Sequence, residues 1–330
     1  MLETVVNFPK FFGAAYSFIS GLILGSFLNV VVLRAFSGES IVLPPSKCPQ
    51  CNNKLKWFHN IPVVSYLFLR GKCAFCNQKI SVQYPLVELV TGCTFLGAFL
   101  IWGFSFMTLF ACLFAFMFIV LSVTDLKEKV IFVVHALWLA AFGVIFNLLN
   151  IAGGDGLQNL IDSIIGIFVG FFVIEIISLL SKKLFGQRVF GEGDSYILGA
   201  IGAIVGYKVV GISFILGAVI QAILAVPLIV AQYVKQQKYA SAFSLVSFLV
   251  GVVLYYSFMD FFLSNVFIQL VFYFAIFILA MLACFQMIRD VKNGSSMTLL
   301  PFGPALILGG ALIFIAQNTS TLQFLVELLK

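Results

Sequence analysis

Residues 105–125 read Ser105-Phe-Met-Thr-Leu-Phe-Ala-Cys-Leu-Phe-Ala-Phe-Met-Phe-Ile-Val-Leu-Ser-Val-Thr-Asp125, an uncharged run closed by a carboxylate. A hydrocarbon core of about 30 Å takes roughly 20 apolar helical residues to cross, so 105–124 has the length of one membrane span. Working outward, comparable runs stand at 11–33, 85–103, 130–150, 160–181, 209–233, 240–259, 265–287 and 299–317, and a shorter glycine-rich run lies at 195–207. The expected fold class is an all-α polytopic membrane protein with about 9–10 transmembrane helices. Composition agrees. Of 330 residues 62% are hydrophobic and 10% charged, with a mean hydropathy of +1.12. A soluble domain is about 25% charged, so this chain has too few charges to cover a water-facing surface and is neither soluble, disordered nor fibrous.

In such a chain basic residues report orientation, because cytoplasmic loops carry an excess of Lys and Arg. Counted by alternate loops, 16 lie on one side, and only Lys10, Lys208 and Lys330 on the other. That bias places the first group in the cytoplasm, provided that 195–207 also crosses. The net charge of +6 is therefore a topology signal, and no nucleic-acid partner is implied. No Ala-x-Ala-like cleavage site follows the first apolar run, so residues 1–34 are expected to hold a retained first span. The one sizeable polar segment is 35–84. A membrane part over 85–310 follows, with 311–330 as a helix end and tail.

A segment of this size is too small to bury a stable core unaided and usually needs a metal or disulfides. A cytoplasmic location disfavours disulfides. The segment carries Cys48-Pro-Gln-Cys51 and Cys73-Ala-Phe-Cys76, each followed by Asn (Asn52, Asn77), so its halves read as a short internal repeat. Two such knuckles suit a tetrahedral zinc ion held by Cys48, Cys51, Cys73 and Cys76. Four protein ligands close the coordination sphere, which makes the role structural. Cys93, Cys112 and Cys284 fall in apolar runs and read as packing residues.

With only 13 acidic residues, each can be placed. Glu3, Glu39, Asp155, Asp260, Asp290 and Glu327 sit in loops or near termini, and Asp162 opens a span as a helix cap. Glu175 lies inside a span; an intramembrane carboxylate is a functional candidate by default, or else it is neutral or pairs near the interface with Lys182 or Lys183. Asp125 ends one span, and Asp194 ends the loop Gly191-Glu-Gly-Asp194 before the glycine-rich run. The topology puts both at the cytoplasmic side. Two carboxylates brought together cannot both ionise cheaply, so one keeps its proton while the other accepts one from water. Gly191 and Gly193 would permit tight turning and close approach of a substrate backbone. The blander alternative is that each aspartate is a helix cap or a solvated boundary charge.

The chain resembles the bacterial type IV prepilin peptidases, the bifunctional leader peptidase/N-methyltransferase family of membrane aspartyl proteases. The likeness is carried by Gly25-Ser-Phe-Leu-Asn-Val-Val-Val-Leu-Arg34, both cysteine knuckles, His59-Asn-Ile-Pro-Val-Val-Ser-Tyr66 and Tyr84-Pro-Leu-Val-Glu-Leu-Val-Thr-Gly92. It continues through Thr124-Asp125, Phe190-Gly-Glu-Gly-Asp-Ser-Tyr-Ile-Leu-Gly-Ala-Ile-Gly-Ala203 and Pro301-Phe-Gly-Pro304. The resemblance implies removal of the basic leader of type IV prepilins or pseudopilins at the cytoplasmic face of the bacterial inner membrane. It further implies methylation of the new N-terminus from S-adenosylmethionine. Asp125 and Asp194 would be the catalytic pair, the four cysteines the zinc ligands, and Glu88 a participant in methyl transfer.

Two departures stand out. Lys127 and Glu128-Lys-Val-Ile-Phe132 replace a second Asp and a Pro-Asp or Pro-Asn common in the family, and residues 240–290 read as an inserted pair of spans. A presenilin-like intramembrane protease shares the Gly-x-Gly-Asp element but not the cysteine segment. A secondary transporter would use Glu175 as its coupling acid, yet no internal repeat of spans is visible.

Overall fold

In a computed structural model of the chain, residues 10–40, 45–48, 50–149, 156–186, 188–258, 266–292 and 300–319 are described. Glu3, Asp155, Asp260, Glu327 and the tail from 320 lie outside them, as do the side chains of Cys284 and Asp290. Helices α1 (Lys10–Ser37), α3 (Gln83–Trp102), α4 (Phe106–Glu128), α6 (Gly156–Phe185) and α8 (Tyr207–Lys235) are long and apolar enough to cross a membrane. Shorter apolar stretches lie in α5 (Val133–Leu149), α9 (Tyr239–Ser257), α10 (Val266–Lys292) and α11 (Gly303–Gln317). The polar segment contains a single helical turn at Trp57–Asn60 and the five-residue α2 (Val64–Phe68). The chain is a multi-pass helical membrane protein.

The 195–207 run forms α7 (Glu192–Val205), which starts three residues earlier than its apolar stretch. At 1.5 Å per residue its 14 residues reach about 21 Å, short of a full crossing, and everything from Asp194 to Val205 except Tyr196 is buried. It is the axis of the bundle, packed by α5, α6 and α11. A helix that ends among apolar neighbours leaves its last carbonyls without partners, which hydrocarbon does not tolerate. Polar residues of the surrounding helices supply the donors. Asn147 Nδ2 (3.0 Å) and Ser163 Oγ (2.6 Å) both donate to the Ala203 carbonyl, and Gln317 Nε2 donates to Val205 at 3.1 Å.

Backbones approach closely where side chains are absent. A Cβ on Gly166 of α6 would collide with the Gly202 carbonyl of α7, and one on Gly25 of α1 would stand 2.8 Å from the Glu88 Cα of α3. This is the small-residue packing by which helices associate in lipid. Around α7 the core is filled by Leu198, Ile201 and a phenylalanine cluster. Phe114 meets Phe314 and Phe146 edge-on, with centroids 5.3 and 5.8 Å apart.

Residues Val219–Leu300 form a second compact unit. Within it α9 packs on α10, Ser244 Oγ donates to Gln286 at 2.8 Å, and the hydroxyls of Tyr255 and Tyr273 meet at 2.6 Å.

Candidate active site

Asp125 lies inside the last turn of α4, not beyond its end, because Leu126-Lys-Glu128 continue the helix until Lys129 takes a left-handed conformation (φ 54°). Its carboxylate is buried, with 4% of the residue exposed, and Oδ2 accepts the Gly303 N–H at 3.1 Å. Gly303 is the first residue of α11, and a Cβ there would overlap that same Oδ2 and touch Ile197 Cδ1 at 3.1 Å. Ile197 stands three residues beyond Asp194 on the same face of α7. Asp194, 6% exposed, therefore shares a site with Asp125 and lies within electrostatic reach of it. Its Oδ2 accepts the Gly191 N–H at 3.0 Å, half of a capping box at the start of α7. Each aspartate thus has one oxygen fixed by a glycine backbone donor.

The glycines act differently from the sequence expectation. Neither Gly191 (φ −65°) nor Gly193 adopts positive φ. Gly193 is small because Ile131 rests on it, 2.6 Å from where a Cβ would stand. The 129–132 connection, which lacks the proline, turns at Lys129 and lays Ile131 against the Gly-x-Gly-Asp loop. Beside it the Phe190 ring packs at a tilt against Phe302, with centroids 5.0 Å apart. Pro301-Phe-Gly-Pro304 therefore joins the loop to Asp125.

In the polar segment the two halves repeat. Asn52 and Asn77 both sit at φ 56°, a left-handed conformation that Asn tolerates. Each donates its N–H to the first cysteine of its knuckle, Asn52 to Cys48 (2.9 Å) and Asn77 to Cys73 (3.0 Å). Lys47 pairs with Lys54 and Lys72 with Lys79 in matching antiparallel bridges. The four sulfurs lie within 4.8 Å of one another, Cys48 and Cys76 at 4.0 Å. Zn–S bonds of about 2.3 Å in a tetrahedron set sulfurs about 3.8 Å apart, so the cluster fits zinc.

The type IV leader peptidase family model matches residues 112–226, and the bacterial peptidase A24 N-terminal domain model matches 19–102. A relative from Neisseria gonorrhoeae is 31% identical over 245 residues, covering 67% of this chain and 84% of its own; one from Aeromonas hydrophila is 31% identical, covering 67% and 83%. A third, from Myxococcus xanthus strain DK1622, is 33% identical over 207 residues, and the match spans 61% of this chain and 60% of that relative. All three are named prepilin leader peptidase/N-methyltransferase. The chain belongs to the type IV leader peptidase family. No solved structure matches it.

Three features of this family member were not legible in its sequence. Glu175 pairs with Arg188, not with Lys182 or Lys183: Arg188 Nη2 lies 2.6 Å from Glu175 Oε2 and Nη1 lies 3.1 Å from Glu192. The lysines are two helical turns further along α6, about 11 Å by rise, whereas the loop folds Arg188 back. Ser195 Oγ donates to the same Glu175 oxygen at 3.3 Å, so residues on both sides of Asp194 are tied to it. Asp162 is not a cap but lies within α6, paired with Lys208 at 3.1 Å, because the helix begins at Gly156. Glu88 is buried in α3 and accepts the Val63 N–H at 2.8 Å, pinning the polar segment to the bundle.

The Arg188 fork makes its own prediction. Arg188→Gln strands the half-buried Glu175 carboxylate, and removing one partner of a partly buried ion pair costs more than removing both. Any peptide cleavage run by Asp194 then slows about tenfold, and Glu175→Gln in the same chain restores part of it. Turnover measured across this double-mutant cycle checks the coupling; simple additivity would break it.

Proposed function

We propose that the chain is a membrane aspartyl endopeptidase that removes the leader of type IV prepilins or pseudopilins at the cytoplasmic face of the bacterial inner membrane. It then methylates the exposed N-terminal amine from S-adenosylmethionine. The observation that carries the reading is the buried pair Asp125 and Asp194, drawn together from α4 and α7 in a chain of this family.

The chemistry follows from a shared proton. Oδ2 of each aspartate is held by a glycine N–H, which leaves the other oxygen of each for the reacting groups. The ionised carboxylate takes a proton from water as the water oxygen bonds to the scissile carbonyl carbon. The protonated carboxyl gives its proton to the amide nitrogen, the C–N bond breaks, and leader acid and pilin amine separate. The pair titrates as a unit. The substrate's apolar helix stays in the bilayer and enters laterally, with its basic leader near the surface. Cys48, Cys51, Cys73 and Cys76 hold structural zinc, and S-adenosylmethionine supplies an electrophilic methyl group for the new amine. Glu88, joined to the zinc segment through Val63, is the candidate participant in methyl transfer.

The proteolytic part is tested by N-terminal sequencing of a prepilin incubated with the purified protein in detergent. A new N-terminus at the leader junction is expected, and an unchanged one with folded enzyme would overturn the reading. For the zinc segment, Cys51→Ser is expected to release the metal and abolish methylation. Structural zinc contributes about 10–16 kcal/mol to the fold of small sites. Metal analysis checks this, and full zinc occupancy in the variant would remove the four-thiolate centre.

A further inference from the structure

The segment that carries the cysteines presents an apolar face that its own packing does not use. In α2, Val64, Leu67 and Phe68 fall at i, i+3 and i+4, one stripe of a helix, and all three are exposed, Phe68 at 84% and Leu67 at 67%. Trp57, in the adjoining turn, is 79% exposed. Over 35–84 the chain carries six Lys and Arg and one acid, Glu39, and Lys54, Lys56, Arg70 and Lys72 flank the apolar stripe.

Position decides what this face meets. The segment leaves from α1 and returns into α3, both apolar enough to span a membrane. Val63, the residue before α2, is held by Glu88 at 2.8 Å in a sharp turn with φ 61°, an unusual conformation for a β-branched residue. Glu88 is the sixth residue of α3, so it lies about 8 Å along the helix. Val63 is thus level with the second turn of a membrane helix. An apolar stripe at that depth, rimmed by cations, has the pattern of an interfacial helix on an anionic bilayer, and Trp favours the head-group zone.

We propose that α2 and the Trp57 turn are an interfacial anchor. Val64, Leu67 and Phe68 enter the acyl boundary of an anionic leaflet, and the flanking Lys and Arg meet lipid phosphates, holding the zinc segment flat on the membrane. The anchor does not depend on the peptidase reading.

The test uses the full chain in vesicles of phosphatidylglycerol and phosphatidylethanolamine, with Phe68→p-benzoylphenylalanine and otherwise native sequence. Irradiation is expected to give a covalent phospholipid adduct seen by mass spectrometry. A crosslink only to protein, or none while zinc content is native, would overturn the proposal. A second reading uses Trp102→Phe/Trp138→Phe, which leaves Trp57 as the only tryptophan. Its emission should be blue-shifted and lose intensity to brominated lipid, more so in phosphatidylglycerol than in neutral lipid. Emission quenched by aqueous iodide and untouched by brominated lipid would contradict it.

Discussion

If Asp125 and Asp194 are the catalytic pair, Asp194→Asn is expected to lower leader removal by at least about 10³-fold, and Asp125→Asn to do the same, with the protein still inserted and its zinc content unchanged. General acid–base catalysis by one positioned group contributes about 10²–10⁴, and here neither member substitutes for the other. Asn is isosteric and still accepts the glycine N–H through its carbonyl, so the bonds from Gly303 to residue 125 and from Gly191 to residue 194 survive. On the proposed mechanism, what the substitution removes is the proton shuttle. Because the two act as a unit, the double variant is expected to be little worse than either single one. Single-turnover cleavage of a prepilin checks this. Stepwise additive losses would mean that the carboxylates work apart.

Gly303→Ala is expected to cost about 10²-fold in cleavage, the scale of a misplacement of about 1 Å at a reacting group. The backbone of Gly303 is ordinary helix start, so alanine suits its conformation. The damage is steric, since the new methyl group would overlap Asp125 Oδ2 and press on Ile197. The carboxylate must move or lose its N–H donor. Gly97→Ala is the matched control, because a Cβ there meets nothing within 4 Å. Equal turnover in Gly303→Ala and wild type would show that Pro301-Phe-Gly-Pro304 does not position Asp125.

What the sequence could and could not tell follows from the range of the interactions. The apolar runs mark the helices because a membrane span is a local property of about 20 residues. Cysteine spacing and the repeated Asn likewise act within a few residues of one another. Asp125 was legible as a charge closing a span, although its helix runs three residues further. The donor that fixes it, Gly303, is 178 residues away, and no local pattern carries that adjacency. The same holds for Asn147, Ser163 and Gln317, which read as isolated polar residues in spans until α7 is seen to end between them. The Arg188 pairing has no local signature either, because its loop doubles back on α6. That α7 stops short of a full crossing is equally invisible locally, because a helix sheltered by its neighbours needs no lipid-facing length.

The central claim, one chain carrying out two reactions on a prepilin, is tested most directly by the intact mass of the pilin product with and without S-adenosylmethionine. The account predicts loss of the leader in both reactions and gain of a single methyl group only when the cofactor is present. A prepilin of unchanged mass, with the enzyme folded and loaded with zinc, would contradict it.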